Sequence, residues 1–189
     1  MASGKKNTGA YQAPDRLSIR LPSAAATARL GRWLARDRSV RLWLVRGPLG
    51  SGKTTLVRGA LRALGVRARI TSPTFALLKI HRPHRGWRQV VHCDAYRLRH
   101  ANEVGPLGLP EALRDRSTLV IIEWPERLPW RPFGPRLRIS LSHAYHGRLA
   151  RLWRSSPRRS RPPWPPILFA RRLQRSTRGR SARSLGCGG

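Results

Sequence analysis

The sequence GPLGSGKTT at residues 47–55 decides the fold of this chain. Its fixed positions match the pattern G-x-x-x-x-G-K-[ST], in which glycines let backbone N–H groups turn inward around an anion. A short apolar run, RLWLVR at 41–46, precedes it, and a helical pattern over 55–64 follows it and stops at Gly65. Because the pattern requires this strand–loop–helix context, the stretch predicts a phosphate-binding loop, or P-loop.

The predicted P-loop offers one cation and two hydroxyl groups to a bound phosphate chain. The following helix presents its positive N-terminus to the same phosphates. We expect Lys53 to contact the β- and γ-phosphates of ATP, Thr54 to coordinate magnesium and Thr55 to reach another phosphate oxygen. The alternative is a glycine-rich turn that binds no ligand. The expected ATP-binding residues of the loop are Gly50, Ser51, Gly52, Lys53, Thr54 and Thr55.

A P-loop also needs a carboxylate across the site to hold the magnesium shell. Glu123 ends TLVIIE at 118–123, an apolar run typical of a strand buried on both faces of a sheet. Asp94 ends a second strand-like run, QVVHCD at 89–94. We expect Glu123 to be a magnesium ligand, and Asp94 is a candidate to orient the attacking water or to bind magnesium through water. The alternative for both is a charged residue that marks the end of a strand.

The charge of the chain is extreme, because 39 Lys and Arg residues stand against 8 Asp and Glu residues, a net charge of +31. No acidic residue follows Glu126. A surface this cationic should attract phosphate polymers such as tRNA. The excess of Arg over Lys is also what a GC-rich genome produces, and the two explanations are compatible.

Sequence features favour a cytoplasmic protein without a membrane partner. Cys93 and Cys187 are far apart and suggest no disulfide framework. No run approaches the roughly 18 apolar residues of a membrane helix. Residues 1–10 contain two lysines but no apolar stretch after them, so we expect no secretory signal.

Composition divides the chain into three parts. We expect a disordered N-terminus at 1–14, a P-loop ATPase domain at 15–153 and a basic low-complexity tail at 154–189. Three explanations of the tail stay open: a tRNA-binding arm, a lineage-specific disordered extension, or an aberrant reading frame in GC-rich DNA. Other predicted elements are strands at 16–21, 74–80, 136–141 and 148–153, a helix from an N-cap at Ser23 through Arg36, and a loop with a short helix at 102–113, broken by Pro106 and Pro110.

Four motifs in this order resemble the TsaE family, also called YjeE. The first is the P-loop with its helix, GPLGSGKTTLVRGALRALG from Gly47. The others are SPTF at 72–75, HCDAYRL at 92–98 and IIEWPERL at 121–128. The resemblance runs from about Leu17 to Arg151, and its motifs are specific because their order and spacing all agree.

The resemblance implies an α/β fold: a small P-loop NTPase with a central, mostly parallel sheet flanked by helices. It also implies an ATPase that uses ATP and Mg²⁺ and works with the partners TsaD and TsaB. That assembly forms threonylcarbamoyladenosine at position 37 of tRNAs reading codons that begin with A. ATP hydrolysis by TsaE supports turnover of the complex, and TsaE does not itself transfer the carbamoyl group.

Residue roles follow from the resemblance motif by motif. Thr54 and Glu123 would be magnesium ligands, and Lys53, Asp94 and Glu123 would be the catalytic residues, Asp94 being the switch-like acid needed for hydrolysis. Trp124 would lie beside the site and contact a partner or the nucleotide, with plain core packing as its alternative. The 72–75 segment would be a first switch-like loop, and Thr27 would border the nucleotide.

Two other classes of protein are weighed against this one. A small P-loop metabolite or nucleoside kinase needs an acceptor pocket and a lid, for which the chain between Thr55 and Glu123 leaves little room. A nucleic-acid-binding protein with a vestigial loop has no reason to keep Lys53, Thr54 and Glu123. For His92 and Cys93, adjacent positions do not define a metal site, so core packing is expected.

Overall fold

The computed structural model describes residues 16–73, 75–98, 100, 103, 105–132 and 134–155. The predicted N-terminal segment at 1–14 lies outside these ranges, as does the predicted tail except for Arg154 and Ser155. Both segments therefore stay predictions, except that Arg154 and Ser155 belong to the last strand of the sheet and not to the predicted tail. The elements in chain order are β1 (Arg16–Leu21), α1 (Ala24–Leu34), β2 (Leu42–Arg46), α2 (Lys53–Ala63), β3 (Leu78–His81), β4 (Gln89–Asp94), a 3₁₀ turn (Ala95–Arg97), α3 (Leu109–Arg114), β5 (Thr118–Glu123), a second 3₁₀ turn (Pro125–Arg127), β6 (Arg136–His143) and β7 (Arg148–Ser155).

One seven-stranded sheet runs through the protein in the order β1-β7-β6-β2-β5-β4-β3. The central strands β6, β2, β5 and β4 are parallel to one another, whereas β1, β7 and β3 join antiparallel. Helices α1 and α2 pack against one apolar core, and α3 packs against β5. The α/β prediction with a mostly parallel central sheet is confirmed.

The register of the central strands brings the predicted acids to one edge. Every residue of β5 is buried, which confirms the prediction of a strand covered on both faces. Asp94 and Glu123 are directly paired where β4 and β5 end. Since β2 is parallel to β5 and pairs Val45 with Glu123, the P-loop that follows β2 leaves the sheet at this same edge.

Helices α1 and α2 approach closely through two glycines. A Cβ atom on Gly31 would lie 1.9 Å from the carbonyl oxygen of Leu56, and one on Gly59 would lie 2.1 Å from that of Ala28. Side chains are therefore excluded at both positions by backbone, which yields less easily than a side chain. This contact holds α2, and with it the P-loop, against α1.

Several predicted boundaries need correction. Strands β6 and β7 end at His143 and Ser155, each two residues beyond its predicted end. Strand β3 begins at Leu78, not at residue 74, because Leu77 has a φ of 58° and the Leu78 N–H donates to the Ala76 oxygen in a tight turn. Pro110 does not break α3 but lies in its first turn, where a missing N–H costs nothing. Helix α1 ends at Leu34, before the predicted Arg36, and α2 begins at Lys53, before the predicted Thr55.

Predictions for the caps of α1 and α2 are confirmed. The Ser23 side chain accepts a hydrogen bond from the Ala26 N–H at the start of α1. After α2, Gly65 has a φ of +85°, the left-handed conformation that ends helices.

No helix among the described residues is long and apolar enough to span a membrane.

Gly31→Ala tests the contact between α1 and α2, because helix propensity and packing predict changes of opposite sign in the free energy of unfolding. Alanine should favour an isolated helix by about 1 kcal/mol. The collision with the Leu56 carbonyl should instead lower the free energy of unfolding by roughly 1–3 kcal/mol or more. Chemical denaturation measures this, with Arg32→Ala at the neighbouring exposed position as control. A Gly31→Ala variant at least as stable as the parent would contradict the close contact.

Candidate functional site

The P-loop adopts a glycine-dependent backbone. Gly47, Gly50 and Gly52 have φ values of 144°, 72° and 96°. Residues with a side chain rarely adopt these positive φ values, whereas glycine does so readily. A Cβ on Gly47 would lie 2.2 Å from the Leu141 carbonyl oxygen, so the loop is also held tightly against the end of β6. Helix α2 starts directly after Gly52, which places its N-terminal N–H groups at the loop.

Lys53 is buried and points back into the loop. Its Nζ donates to the carbonyl oxygens of Gly47 (2.9 Å) and Pro48 (3.0 Å) and lies 3.9 Å from the ring centroid of Trp124. Burial lowers the pKa of Lys53, while the charges of Glu123 and Asp94 raise it. These carboxylates therefore oppose the loss of charge on the ammonium in the loop.

Thr54 and Glu123 meet as the sequence predicts. The Thr54 hydroxyl donates to Oε2 of Glu123 at 3.2 Å. Glu123 is 1% exposed, and its other oxygen, Oε1, lies 2.9 Å from Nε2 of the fully buried His92. Both oxygens of a buried carboxylate are thus satisfied, one from α2 and the other from β4, which fixes the orientation of the carboxylate.

Asp94 caps the turn that follows β4. Its Oδ1 accepts from the Tyr96 N–H (3.1 Å), and its Oδ2 accepts from the Ser72 hydroxyl (2.6 Å). Ser72 belongs to the predicted switch-like segment, of which residue 74 lies outside the described ranges. The structure therefore connects the SPTF and HCDAYRL motifs through one carboxylate, 4% exposed, beside Glu123.

Aromatic residues close one side of the site. Trp124 has a φ of 56° and contacts Tyr96, with ring centroids 5.0 Å apart. Trp124 is half-buried beside Lys53, so it borders the P-loop, and it also packs against a separate buried apolar cluster that includes Leu44 and Ile122. Phe75 is not core, since it is 87% exposed and lies under the Arg97 guanidinium at 4.4 Å.

The β6–β7 hairpin supports the outside of the P-loop. Arg148 donates to the Gly50 carbonyl oxygen (3.0 Å), and the His143 ring nitrogen Nε2 lies 3.2 Å from the Leu49 oxygen. On the inner side, the methyl group of Thr27 would lie 3.4 Å from a Cβ on Gly52. The hydroxyl of buried Thr27 donates to the Ser23 oxygen, so its methyl group faces the loop.

The residues present fit a phosphate chain and a magnesium ion. The buried Ser51 hydroxyl has no hydrogen-bond partner among the described residues, and the half-buried Thr55 lies in the first turn of α2. No group of three or more His, Cys, Asp or Glu in the described part of the chain could hold a metal ion. Magnesium in nucleotide sites needs only one or two carboxylates, because phosphates and waters complete its shell. Thr54 and Glu123 satisfy that requirement.

Residues 21–151 match the model of the family described as "Threonylcarbamoyl adenosine biosynthesis protein TsaE". This chain belongs to the TsaE family. The P-loop, the Ser72–Asp94 contact and the Glu123 site all lie within the matched residues.

Curated TsaE proteins resemble the chain at moderate identity. The protein of Mycobacterium bovis is 40% identical over 110 residues, which are 54% of this chain and 64% of that protein. The protein of Streptomyces coelicolor is 39% identical over 117 residues, 61% of this chain and 78% of that one. The match therefore spans just under two thirds of the mycobacterial relative's length. Both carry the name tRNA threonylcarbamoyladenosine biosynthesis protein TsaE.

Bacillus subtilis YdiB has the same fold. Its crystal structure superposes with a TM-score of 0.58 and 22% identity, covering 88% of this chain and 98% of that one. At this identity the likeness supports the fold alone.

Three contacts of the TsaE-family site were not predicted. His92 and Cys93 are buried, as core packing predicts, but the hydrogen bond from His92 to Glu123 was missed. The two-residue spacing of His92 and Asp94 on one strand was the available signal, because such residues share a face. No pattern in the sequence indicated the contacts of His143 and Arg148 with the P-loop.

Burial raises the pKa of Cys93 to about 12, so its thiol stays neutral.

His81 predicts a pH dependence of stability. Burial, followed by the nearby charges of His92 and Lys79, lowers the pKa of His81 from 6.5 to about 4. The unfolded chain therefore binds a proton at mildly acidic pH that the folded protein does not. Stability should fall as the pH drops from about 6.5 towards 4, by at most about 1.4 kcal/mol per pH unit.

Urea unfolding at pH 7, 6 and 5 measures this slope. His81→Gln should flatten it, whereas His146→Gln, at an exposed position, should leave it unchanged. An unchanged slope in His81→Gln would show that another group titrates.

Proposed function

We propose that the chain is the ATP-binding and ATP-hydrolysing subunit needed to form threonylcarbamoyladenosine at position 37 of tRNAs reading codons that begin with A. The observation that carries this proposal is the convergence of Lys53, Thr54 and Glu123 at the mouth of a glycine-dependent loop. Family membership supplies the pathway, since the matching family is described by threonylcarbamoyl adenosine biosynthesis.

Each residue of the proposed ATP site has a distinct task. Lys53 exchanges its bonds to the loop carbonyls for bonds to phosphate oxygens, while Gly50, Ser51, Gly52 and Thr55 surround the phosphates. Thr54 and Glu123 hold Mg²⁺, with His92 fixing the carboxylate from behind. When bound, Mg²⁺ neutralises charge that develops on the transferred phosphoryl group.

Asp94 is proposed to position the attacking water. Ser72 and the Tyr96 N–H hold its carboxylate, so a movement of the 72–75 segment would release or redirect it. Trp124 lies between Lys53 and Tyr96 and is proposed to report the nucleotide state to a partner. Thr27 is proposed to border the nucleotide from α1.

The proposed partners are TsaD and TsaB, in the cytoplasm, with tRNA reached through the complex. ATP hydrolysis would reset the complex between rounds of modification, and the carbamoyl transfer itself would belong to the partners. The alternative hypothesis of a small-molecule kinase gains no support. Between α2 and β5, strands β3 and β4 belong to the one sheet and α3 packs against β5, so the described residues there form no separate lid.

Lys53→Ala should weaken ATP binding by about 10- to 100-fold, because it removes a charge-assisted contact with the phosphates. Titration of a fluorescent ATP analogue into the isolated chain measures this. Lys79→Ala on the edge strand β3 is the matched control and should bind like the parent. Glu123→Gln should reduce the magnesium dependence of binding more than the affinity itself. Equal affinity for parent and Lys53→Ala would rule out the assigned site.

Modification of tRNA by the purified partners tests the biological role. With ATP, threonine and bicarbonate, multiple turnovers should require this chain and should be lost with Lys53→Ala. Asp94→Asn should bind ATP but support no more than a single turnover. Equal turnover with and without the chain would overturn the proposed function. The alternative hypothesis of a small P-loop kinase would then be tested by measuring phosphate transfer from ATP to metabolites and nucleosides.

A further inference from the structure

One face of the antiparallel half of the sheet is covered by no other described element. Along β1, β6 and β7, buried and accessible residues alternate, with apolar side chains facing α1 and α2. The opposite face, called here the open face, is defined by Arg16, Ser18, Arg20, Arg136, Arg138, Ser140, Ser142, Leu149, Arg151 and Trp153. All of these residues are exposed or half-exposed.

Strand register arranges the open face in rows. In the first row, Trp153 on β7 lies directly between Arg16 on β1 and Arg138 on β6. In the second, Arg151 lies between Ser18 and Ser140. Directly paired side chains on one face are about 5 Å apart. The register therefore places an aromatic ring between two guanidinium groups, next to a row of one guanidinium between two hydroxyls.

The charge of the open face is not neutralised. Strands β1, β6 and β7 contain no acidic residue. Among the described residues, Arg16, Arg138 and Arg151 have no hydrogen-bond or ion-pair partner. Partial burial, followed by the neighbouring charges of Arg136, Arg46 and Arg131, lowers the pKa of Arg138, although Arg46 is itself paired with Glu126 (3.5 Å). Such crowding of like charges costs stability, and a polyanionic partner would remove that cost.

We propose that the open face binds RNA, with its arginines on backbone phosphates and Trp153 stacked on an unpaired base. Arginine forks match phosphate geometry, and an aromatic residue on an open sheet surface is a common platform for a base. The small serines between the cations allow a backbone to approach closely. A lipid surface would require an apolar anchor, and Leu149 is the one aliphatic side chain on this face.

The open face is independent of the ATP site and goes beyond the proposed function. Arg138 precedes His143, which contacts the P-loop, by five positions on β6, or about 16 Å of strand. Direct RNA binding would thus bring substrate tRNA to this subunit without using Lys53 or Glu123.

Binding of an unmodified tRNA transcript to the full chain, measured by fluorescence anisotropy from 50 to 200 mM KCl, tests the proposal. The test variant combines Arg16→Gln, Arg138→Gln and Arg151→Gln. The control variant combines Arg32→Gln, Arg36→Gln and Arg69→Gln, which are exposed elsewhere. Both remove three positive charges. The test variant should lose about tenfold or more in affinity and about 2 to 3 from the slope of log K against log salt. The control should stay close to the parent, and equal losses in the two variants would overturn the proposal.

Trp153→Leu separates stacking from charge. It should weaken binding of tRNA by about tenfold while leaving a blunt RNA duplex unaffected. No change with tRNA would overturn the stacking role. Binding of anionic phospholipid vesicles or poly-glutamate as tightly as tRNA would overturn RNA as the partner.

Lys53→Ala distinguishes failure of this proposal from failure of the ATPase function. It should bind tRNA like the parent while losing ATP. Loss of tRNA binding in Lys53→Ala would contradict an independent RNA surface.

Discussion

The site depends on the buried carboxylate of Glu123. A carboxylate with 1% exposure is costly unless both oxygens are satisfied, and Thr54 and His92 satisfy them from α2 and β4. The charge of Glu123 in turn raises the pKa of Lys53, against the larger lowering by burial. Because the two contacts come from different elements, they restrain how α2, β4 and β5 sit against one another. The registers of β2 with β5 and of β4 with β5 then place Asp94, Glu123 and the start of the P-loop at one edge.

What could be predicted from the sequence was local. The P-loop, β4, β5 and the caps of α1 and α2 follow from residue patterns within about ten positions, and all are found. The contacts of Arg148 and His143 with the loop join residues 98 and 94 positions apart, so no local pattern indicates them. The start of β3 was predicted too early because Leu77 adopts a positive φ, which a leucine in the sequence does not indicate. The sequence therefore indicated residues that the structure places at one edge of the sheet, but it did not indicate the contacts that hold them there.

Trp124 links the two halves of the site. A non-glycine residue at φ 56° costs of order 1–3 kcal/mol, which neighbouring contacts must offset. Its N–H donates to the Val45 oxygen (3.1 Å), and its ring contacts both Lys53 and Tyr96. Trp124 therefore contacts both the lysine of the P-loop and Tyr96, whose backbone N–H donates to Asp94 at the end of β4.

The parallel and antiparallel halves of the sheet form two different surfaces. Its parallel half ends in the carboxylates and the P-loop, because parallel strands place their carboxyl ends together. The antiparallel half cannot do this, and its alternation instead leaves one face of Arg, Ser and Trp exposed. Strand β6 belongs to both halves: its Leu141 carbonyl lies against Gly47, and its Arg138 lies beside Trp153. One strand thus contributes both to the support of the P-loop and to the open face, through different residues along its length.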